Sequence, residues 1–257
     1  MQVQALPITI NKNDTAKNVI QIKDLHKKFG EHEVLKGINL TIKKGENVVV
    51  LGKSGTGKSV LIKCIIGLET IDEGEIMVLD QNINSISGKE LNKVRIKMGF
   101  LFQSAALYDS MTVRQNLDFP LQRSSKHLSA KEREDMIIEE LHDVGLSDAI
   151  DKMPSELSGG MRKRIGLART LILKPEIMLY DEPTTGLDTI TSKEISELIL
   201  AVQQKNKTSS IIITHDMACA KLTADRIVIL KDGVVVAEGT YEALENSQDE
   251  WVRSFFN

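Results

Sequence analysis

A glycine-rich segment that ends in Lys-Ser constrains the fold of this chain more than any other feature. Residues 52–59 read GKSGTGKS and fill every specified position of the pattern G-x-x-x-x-G-K-[ST]. They lie between a short apolar run, residues 48–51, and an apolar stretch that starts near Ser59. The order strand, glycine-rich loop, helix predicts a phosphate site, because glycines let backbone N–H groups surround a phosphate and the helix N-terminus adds positive potential.

Two side chains of this phosphate loop (residues 52–59) suit a nucleoside triphosphate with Mg²⁺. Lys58 is expected to reach the β- and γ-phosphates, and the Ser59 hydroxyl is expected to bind Mg²⁺. A glycine-rich turn with an exposed lysine is the alternative interpretation, but the complete motif and its flanking elements favour the nucleotide site. The predicted nucleotide-binding residues are Gly52, Lys53, Ser54, Gly55, Thr56, Gly57, Lys58, Ser59 and Val60.

A second apolar run, residues 177–180, ends in two carboxylates, Asp181 and Glu182. Ligands of open α/β sheets bind at this end of the strands. We predict that Asp181 holds Mg²⁺ through water and that Glu182 polarises the water that attacks the γ-phosphate. A strand that ends in solvated acids is common on its own, but beside the phosphate loop the pair indicates a nucleoside triphosphatase.

Strand and helix patterns alternate over much of the chain. Residues 177–180 and 211–214 are predicted strands, and residues 191–204 between them are a predicted helix. Such alternation predicts an α/β fold with a mainly parallel sheet and helices on its faces. Asp232-Gly233 separates two further apolar runs and predicts a hairpin that adds an antiparallel pair.

Residues 157–161, LSGGM, precede a basic helix and stand shortly before Asp181-Glu182. This order resembles the signature of ABC (ATP-binding cassette) ATPases. Three further elements of that family have counterparts in the same order, a Q-loop at Gln103, a D-loop at Asp188 and a switch histidine at His215. The resemblance implies an α/β P-loop ABC ATPase fold with a mainly parallel core sheet, an antiparallel β subdomain and a helical signature subdomain.

The same resemblance implies roles for these residues, with ATP and Mg²⁺ as the bound groups. In that family the signature of one subunit faces the phosphate loop of a second copy, so that ATP is sandwiched in a homodimer; here the signature is Ser158, Gly159, Gly160 and Met161. Gln103 would join Ser59 and Asp181 at Mg²⁺, and His215 would contact the γ-phosphate. Phe29 stands where the family stacks an aromatic ring on adenine, although a core phenylalanine is the alternative. The implied catalytic residues are Lys58, Gln103, Glu182 and His215.

The resemblance also divides the chain into parts. Residues 19–103 and 166–240 are expected to form a RecA-like nucleotide-binding core with the antiparallel β subdomain. Residues 104–165 are expected to form the helical signature subdomain. Residues 1–18 are an N-terminal lead-in, and residues 241–257 are a C-terminal segment.

Composition and charge exclude several classes of protein. Lys and Arg total 33 against 36 Asp and Glu, so no basic excess indicates nucleic-acid binding. No run approaches the ~18–20 uncharged apolar residues that cross a bilayer, and the N-terminus lacks the apolar core of a signal peptide. Cys64 and Cys219 are too few for a disulfide framework. We expect a cytoplasmic protein, and the resemblance implies a peripheral position on the cytoplasmic face of the inner membrane.

Three segments narrow the resemblance within the family. Residues 101–113 read LFQSAALYDSMTV, residues 161–164 read MRKR where glutamine is the usual first residue, and residues 249–257 read DEWVRSFFN. They resemble the ATPase subunit of MCE (mammalian cell entry) lipid transporters, including the Mla phospholipid system. The implied partners are a membrane permease, an MCE-domain protein of the periplasm and a small STAS-domain subunit. An apolar patch is expected at the end of the chain, formed by Trp251, Phe255 and Phe256.

Two other functions share the catalytic motifs. The ATPase of an amino-acid or other polar-solute importer differs mainly around the Q-loop and the signature, and those surroundings argue against it here. A soluble ABC ATPase of DNA repair or translation usually has two cassettes, a long coiled coil or a zinc-binding insertion. This chain shows one cassette, no sustained heptad pattern and no CxxC motif.

Overall fold

The computed structural model describes residues 17–124 and 127–256 of the chain. Residues 1–16 of the expected N-terminal lead-in lie outside the described residues. No helix in the described ranges is long and apolar enough to span a membrane. In chain order the elements are β1 (Asn18–Phe29), β2 (His32–Lys43), β3 (Asn47–Leu51), α1 (Lys58–Ile65), β4 (Glu73–Val78), β5 (Gln81–Asn82), α2 (Gly88–Ile96), β6 (Met98–Leu101), α3 (Val113–Ser124), α4 (Ala130–Asp143), α5 (Gly159–Leu171), β7 (Ile177–Asp181), α6 (Thr189–Asn206), β8 (Ser209–Ile213), α7 (Met217–Thr223), β9 (Arg226–Lys231), β10 (Val234–Gly239), α8 (Tyr241–Glu245) and α9 (Glu250–Arg253).

A six-stranded sheet has the order β10-β9-β3-β8-β7-β6 and is mainly parallel, as the alternating pattern predicts. β3 pairs in parallel with β8 and β9, and β7 pairs in parallel with β8 and β6. β10 is antiparallel to β9, which confirms the predicted hairpin. Asp232 and Gly233 both have positive φ, 50° and 86°, as this tight turn requires. The carboxyl ends of β3, β8 and β7 therefore lie side by side at one edge.

The central strands are buried on both faces, as expected from the continuous apolar runs at residues 48–51, 177–180 and 211–213. All five residues of β3 are buried, and side chains alternate between its two faces. Val48 and Val50 pack into a first core with α1 and with strands β1, β2 and β4. Val49 and Leu51 pack into a second core with α5, α6 and α7.

A separate four-stranded sheet, in the order β2-β1-β4-β5, covers the first core. All of its strand pairs are antiparallel. Its inward apolar side chains, among them Ile20, Ile22 and Ile38, are fully or almost fully buried. This sheet is the antiparallel part of the expected α/β fold.

α3, α4 and part of α5 share a third core. Ile165 and Ala168 of α5 belong to this core, whereas Leu167 and Leu171 of the same helix belong to the second core. The expected boundary at residue 165 therefore falls inside one continuous helix. α5 joins the helical region rigidly to the central sheet because it packs on both.

The expected apolar patch at the end of the chain needs correction, because these aromatic rings pack onto the second core. The ring of Trp251 lies 4.9 Å from that of Phe255, and the ring of Tyr241 lies 5.0 Å from that of Phe256, both pairs edge to face. All four rings contact the second core and are at least partly buried. The chain returns to the central sheet through α8 and α9, so the aromatic rings are partly buried against the second core and do not form a fully exposed patch.

Candidate nucleotide-binding site

The phosphate loop connects the carboxyl end of β3 to α1, which begins at Lys58. Its shape requires glycine at two positions. A Cβ at Gly52 would lie 2.6 Å from the carbonyl oxygen of Leu230, and a Cβ at Gly57 would lie 2.7 Å from Cδ2 of Leu35. Gly57 has a φ of 98° and is the N-cap of α1 without a side-chain cap, so the first N–H groups of the helix are left for a ligand.

Lys58 lies across the inside of this loop. Its Nζ donates hydrogen bonds to the carbonyl oxygens of Gly52 at 2.8 Å and Lys53 at 2.9 Å. Burial lowers the pKa of Lys58, while the carboxylates of Glu182 and Asp181 oppose that shift. A positive charge is therefore held where a phosphate chain would enter the loop.

Ser59 and Asp181 meet between α1 and the end of β7. The Ser59 hydroxyl donates a hydrogen bond of 2.9 Å to Oδ1 of Asp181. Burial raises the pKa of Asp181, and the bond from Ser59 opposes that shift. Hydroxyl and carboxylate oxygens are ligands that Mg²⁺ prefers, so this pair fits the ion. Within the described ranges no group of three or more His, Cys, Asp or Glu side chains is placed to hold a metal.

Glu182 follows β7 in an unusual backbone conformation. Its φ is 52°, and its N–H donates to the carbonyl oxygen of Ile213 at 2.9 Å. Its Oε2 accepts a hydrogen bond of 3.0 Å from the Thr185 hydroxyl and lies 2.7 Å from Nδ1 of His215. The backbone turn aims the carboxylate toward His215 instead of along the strand, and such strained residues are common at functional sites.

One cavity of about 660 Å³ brings most of the sequence-predicted site residues together. Such a volume suits a small-molecule ligand. Thr56 does not line the cavity, and its hydroxyl donates to the carbonyl oxygen of Lys53 at 2.9 Å. The predicted residues that line the cavity are Gly52, Lys53, Ser54, Gly55, Gly57, Lys58, Ser59, Val60, Gln103, Glu182 and His215.

Phe29 lies outside this cavity, at the end of β1. Its side chain is 46% exposed, and Nζ of Lys27 lies 4.9 Å from its ring centroid. The ring is thus free on one side and contacts a cation. A core position, the alternative interpretation of Phe29, does not agree with this exposure.

The signature also lies away from the cavity of the same chain. Ser158 is the N-cap of α5, where its Oγ accepts a hydrogen bond of 3.2 Å from the N–H of Met161. A Cβ at Gly160 would lie 2.5 Å from Cγ2 of Thr191, so glycine allows α5 to pack closely on α6. Asp188 caps α6, and its Oδ1 accepts hydrogen bonds of 3.0 Å from the N–H groups of Ile190 and Thr191. The signature and the D-loop form a second, neighbouring surface.

Two residues near the site were not predicted from the sequence. Phe255 lines the cavity because the C-terminal segment returns to the phosphate loop. Lys163 is buried in α5 and donates to the carbonyl oxygens of Gln103 and Glu182. The signal for Lys163 is its helical spacing from Gly160 and Leu167, which places it on a buried face of α5. Phe255 has no comparable signal.

A phosphate loop at the end of a parallel strand, with acidic residues on a neighbouring strand end, defines a P-loop nucleotide-binding protein. The sequence model of the ABC transporter family matches residues 35–185. The chain therefore belongs to the ABC transporter family. It is the ATP-binding subunit of an ABC transporter, and it hydrolyses ATP.

Three curated relatives match almost the whole length of this chain. It is 38% identical over 254 residues to the chloroplast protein trigalactosyldiacylglycerol 3 of Arabidopsis thaliana, covering 92% of this chain and 73% of the relative. It is 40% identical over 238 residues to the probable ribonucleotide transport ATP-binding protein mkl of Mycobacterium leprae, covering 93% of this chain and 68% of the relative. It is 38% identical over 240 residues to the L-cystine import ATP-binding protein TcyN of Bacillus subtilis, covering 92% of each. Their names point to different substrates.

Solved structures show the same fold. A dimeric post-hydrolysis state of the ATP-binding cassette MJ0796 with ADP and Pi matches with a TM-score of 0.79 and 35% identity, covering 86% of this chain and 98% of that chain. The structure of cbiO1 from Clostridium perfringens, part of the ABC transporter complex cbiONQ, matches with a TM-score of 0.80 and 30% identity. The match covers 87% of this chain and 88% of the cbiO1 chain.

Proposed function

We propose that two copies of this chain bind ATP between them and that hydrolysis powers the transport of phospholipid or a related lipid. The transport would connect the bacterial inner membrane with a periplasmic MCE-type partner. The observation that carries the lipid assignment is the 38% identity, across 92% of this chain, to a chloroplast protein whose name contains a galactolipid. The sequences of residues 101–113 and 161–164 favour the same assignment.

The two-copy arrangement is supported by the position of the signature. Ser158 and the N-terminus of α5 lie away from the cavity that holds the phosphate loop, so a second copy is needed to bring a signature to the nucleotide. The N-terminus of α5 and the Ser158 hydroxyl suit the γ-phosphate, because a helix N-terminus favours negative charge. The similar cassette MJ0796 was solved as a dimer with ADP and Pi.

Within each site, this chain's residues bind the nucleotide and move one proton. Lys58 and the N–H groups of the phosphate loop hold the β- and γ-phosphates, and the side chain of Gln103 lies at the same cavity. Glu182 accepts a proton from the attacking water. The contact of 2.7 Å between Oε2 of Glu182 and Nδ1 of His215 keeps the carboxylate in place, since an ionised carboxylate accepts and Nδ1 must carry the proton.

Mg²⁺ would be held by the Ser59 hydroxyl and by Asp181, with Gln103 as a further oxygen ligand. When bound, the ion would neutralise charge on the phosphates. The hydrogen bond between Ser59 and Asp181 already holds two of these oxygens together. The proposed catalytic residues are Lys58, Gln103, Glu182 and His215.

The proposed partners are a second copy of this chain, a membrane permease, an MCE-domain protein and a small STAS-domain subunit. The subunit would lie on the cytoplasmic face of the inner membrane, bound to the permease. The similar protein cbiO1 is part of an ABC transporter complex, which supports a permease partner for this chain.

A polar-solute importer is the second candidate function. It is favoured by the 38% identity to an L-cystine import ATP-binding protein, across 92% of both chains. The match to the ribonucleotide transport protein mkl points in the same direction. The catalytic site would be the same in either case, because the cargo is bound by other subunits.

Glu182→Gln should abolish most ATP turnover and still bind ATP. The amide keeps the shape of the side chain but cannot accept a proton from water. Phosphate release measures turnover, and equilibrium binding of ATP measures retention. Glu139→Gln, at an exposed position of α4, is the matched control and should keep normal turnover. Near-normal turnover of Glu182→Gln would contradict its role as the base.

The lipid assignment is tested by purifying tagged Glu182→Gln protein with ATP from mildly solubilised native membranes. Mass spectrometry then identifies the proteins and lipids that copurify. A permease, an MCE-domain protein and bound phospholipid support lipid transport. A polar-solute permease with a solute-binding protein would contradict the lipid assignment and support the second candidate.

A further inference from the structure

Lys163 is a buried lysine of α5 that bonds to two functional loops at once. Only 6% of the surface of Lys163 is exposed. Its Nζ donates hydrogen bonds to the carbonyl oxygen of Gln103 at 2.6 Å and to the carbonyl oxygen of Glu182 at 3.1 Å. The two loops follow different strands, β6 and β7. One ammonium group therefore fixes the Q-loop relative to the turn that carries the proposed catalytic base.

Both loops need support, because their backbones adopt conformations that are uncommon for non-glycine residues. Glu182 has a φ of 52°, and Ala105 and Ala106 have φ values of 61° and 48°. Surrounding contacts must hold such residues in place. Arg169, also on α5, donates to the carbonyl oxygen of Ala105 at 3.3 Å. A Cβ at Gly166 would lie 2.8 Å from the Cβ of Ala105, so α5 lies directly against the Q-loop.

Two carboxylates of the proposed site, Glu182 and Asp181, favour the charged form of Lys163. Burial lowers the pKa of Lys163, whereas the negative charges of Glu182 and Asp181 oppose that shift. An ammonium group donates strong hydrogen bonds to carbonyl oxygens in such a buried place. An apolar side chain of similar length would leave both carbonyl oxygens without this donor.

The position of Lys163 along α5 connects the signature, at the start of this helix, with the loops that carry Gln103 and Glu182. α5 starts at the signature, with Ser158 as its N-cap, and Lys163 follows about 7.5 Å further along the helix axis. We propose that Lys163 is a positioning residue that couples the two ATP sites of a dimer. In the proposed dimer the N-terminus of α5 faces the nucleotide of the partner copy. When α5 shifts, the hydrogen bonds of Lys163 shift the Q-loop and Glu182 of the same subunit with it. This inference rests on the two-copy arrangement of the proposed function.

The first test compares the full-length variants Lys163→Met and Lys163→Arg with the wild type. Removing the donor should lower kcat about ten- to a hundredfold. ATP affinity, measured by equilibrium binding to the subunit, should stay within about twofold of the wild type, because both hydrogen bonds of Lys163 go to residues outside the phosphate loop. The wild type should have a Hill coefficient for ATP above 1, because the proposed dimer couples its two sites. This coefficient should fall toward 1 in Lys163→Met and recover in Lys163→Arg, which keeps the charge.

Lys131→Met is the matched control, because Lys131 is exposed on α4 and lies outside the proposed site. Its kcat and Hill coefficient should equal those of the wild type. Thermal denaturation checks that Lys163→Met is folded. Hydrogen–deuterium exchange gives a readout that does not need activity: exchange at the amides of residues 104–106 and 184–185 should rise in Lys163→Met and not in Lys131→Met.

A folded Lys163→Met variant with wild-type kcat, Hill coefficient and exchange would overturn the inference. An equal loss of kcat and ATP affinity would also overturn it, because that result describes general damage to the site. Size-exclusion chromatography of Glu182→Gln with ATP tests the two-copy arrangement separately. A dimer together with an unaffected Lys163→Met variant contradicts only the coupling, whereas a monomer contradicts both the coupling and the two-copy arrangement.

Discussion

At the scale of single residues, the site depends on a few short contacts between loops that are far apart in sequence. Ser59 is bonded to Asp181, and Glu182 contacts His215. Each of these side chains stands at the end of a strand or the start of a helix. The parallel order of β3, β8 and β7 brings the four residues to one edge of the sheet.

Lys58→Ala should weaken ATP binding by ~1.5–3 kcal/mol, because it removes a charge-assisted contact to the phosphates. Isothermal titration calorimetry measures the change. Lys89→Ala, on the exposed surface of α2, is the control and should leave affinity unchanged. Equal affinity of Lys58→Ala and the wild type would contradict the role of Lys58.

At the scale of elements, the C-terminal segment contributes to the nucleotide site. Phe255 lines the cavity of the phosphate loop and stacks edge to face on Trp251. Trp251 in turn lies under the Nζ of Lys231, 4.4 Å from its ring centroid. Phe255 therefore joins the C-terminal segment to the lining of this cavity.

Phe255→Ala should weaken ATP binding, because it opens one side of the cavity to water. Phe256→Ala provides the comparison, since Phe256 packs on Tyr241 and does not line the cavity. Both variants lose a partly buried ring, so thermal denaturation should show similar losses of stability. Equilibrium binding should show a lower affinity for ATP in Phe255→Ala than in Phe256→Ala. Equal affinities of the two variants would show that Phe255 does not contribute to binding.

The β1–β2 pair carries an ion pair that predicts a pH effect on stability. Nδ1 of His26 lies 2.9 Å from Oε1 of Glu33. The hydrogen bond to Glu33 raises the pKa of His26 above its ordinary 6.5, and the same bond lowers the pKa of Glu33 below its ordinary 4.5. The His26 contribution is complete below pH 6.5 and is lost as the pH rises through the raised pKa. The Glu33 contribution is present above pH 4.5 and is lost as the pH falls.

Thermal denaturation of the wild type and His26→Gln should therefore differ most between pH 4.5 and pH 6.5. The difference should shrink on either side of that window. His32→Gln, at the exposed start of β2, is the control and should show no such window. A difference for His26→Gln that does not vary with pH would exclude the ion pair as its cause.

The elements that the sequence predicts are those with a local signal. The phosphate loop, the buried strands and the hairpin at Asp232-Gly233 each have a pattern within a few residues. Phe255 has no such signal, because its position depends on how distant segments pack. The helical spacing places Lys163 on a buried face of α5 but does not show which carbonyl oxygens it contacts, since those belong to distant loops. The sequence also does not show how the expected aromatic patch packs, since only the return of α8 and α9 to the sheet places its rings, partly buried, against the second core.

At the scale of the whole molecule, one chain carries the two different surfaces that the proposed function assigns to ATP. The cavity with the phosphate loop lies at the end of the central sheet, and the signature lies at the start of α5. α5 is continuous between the helical region and the central sheet, and it carries Lys163 between them. This arrangement suits a dimer in which each copy supplies the signature for the ATP site of the other copy.

The central claim, that two copies share each ATP site, is tested most directly by mixing two inactive variants. Lys58→Ala damages the phosphate loop, and Ser158→Arg damages the signature. A mixed dimer contains one site in which both parts are intact, whereas dimers of either variant alone contain none. Phosphate release should therefore be close to zero for each variant and should recover on mixing. No recovery at any ratio of the two variants would contradict the account.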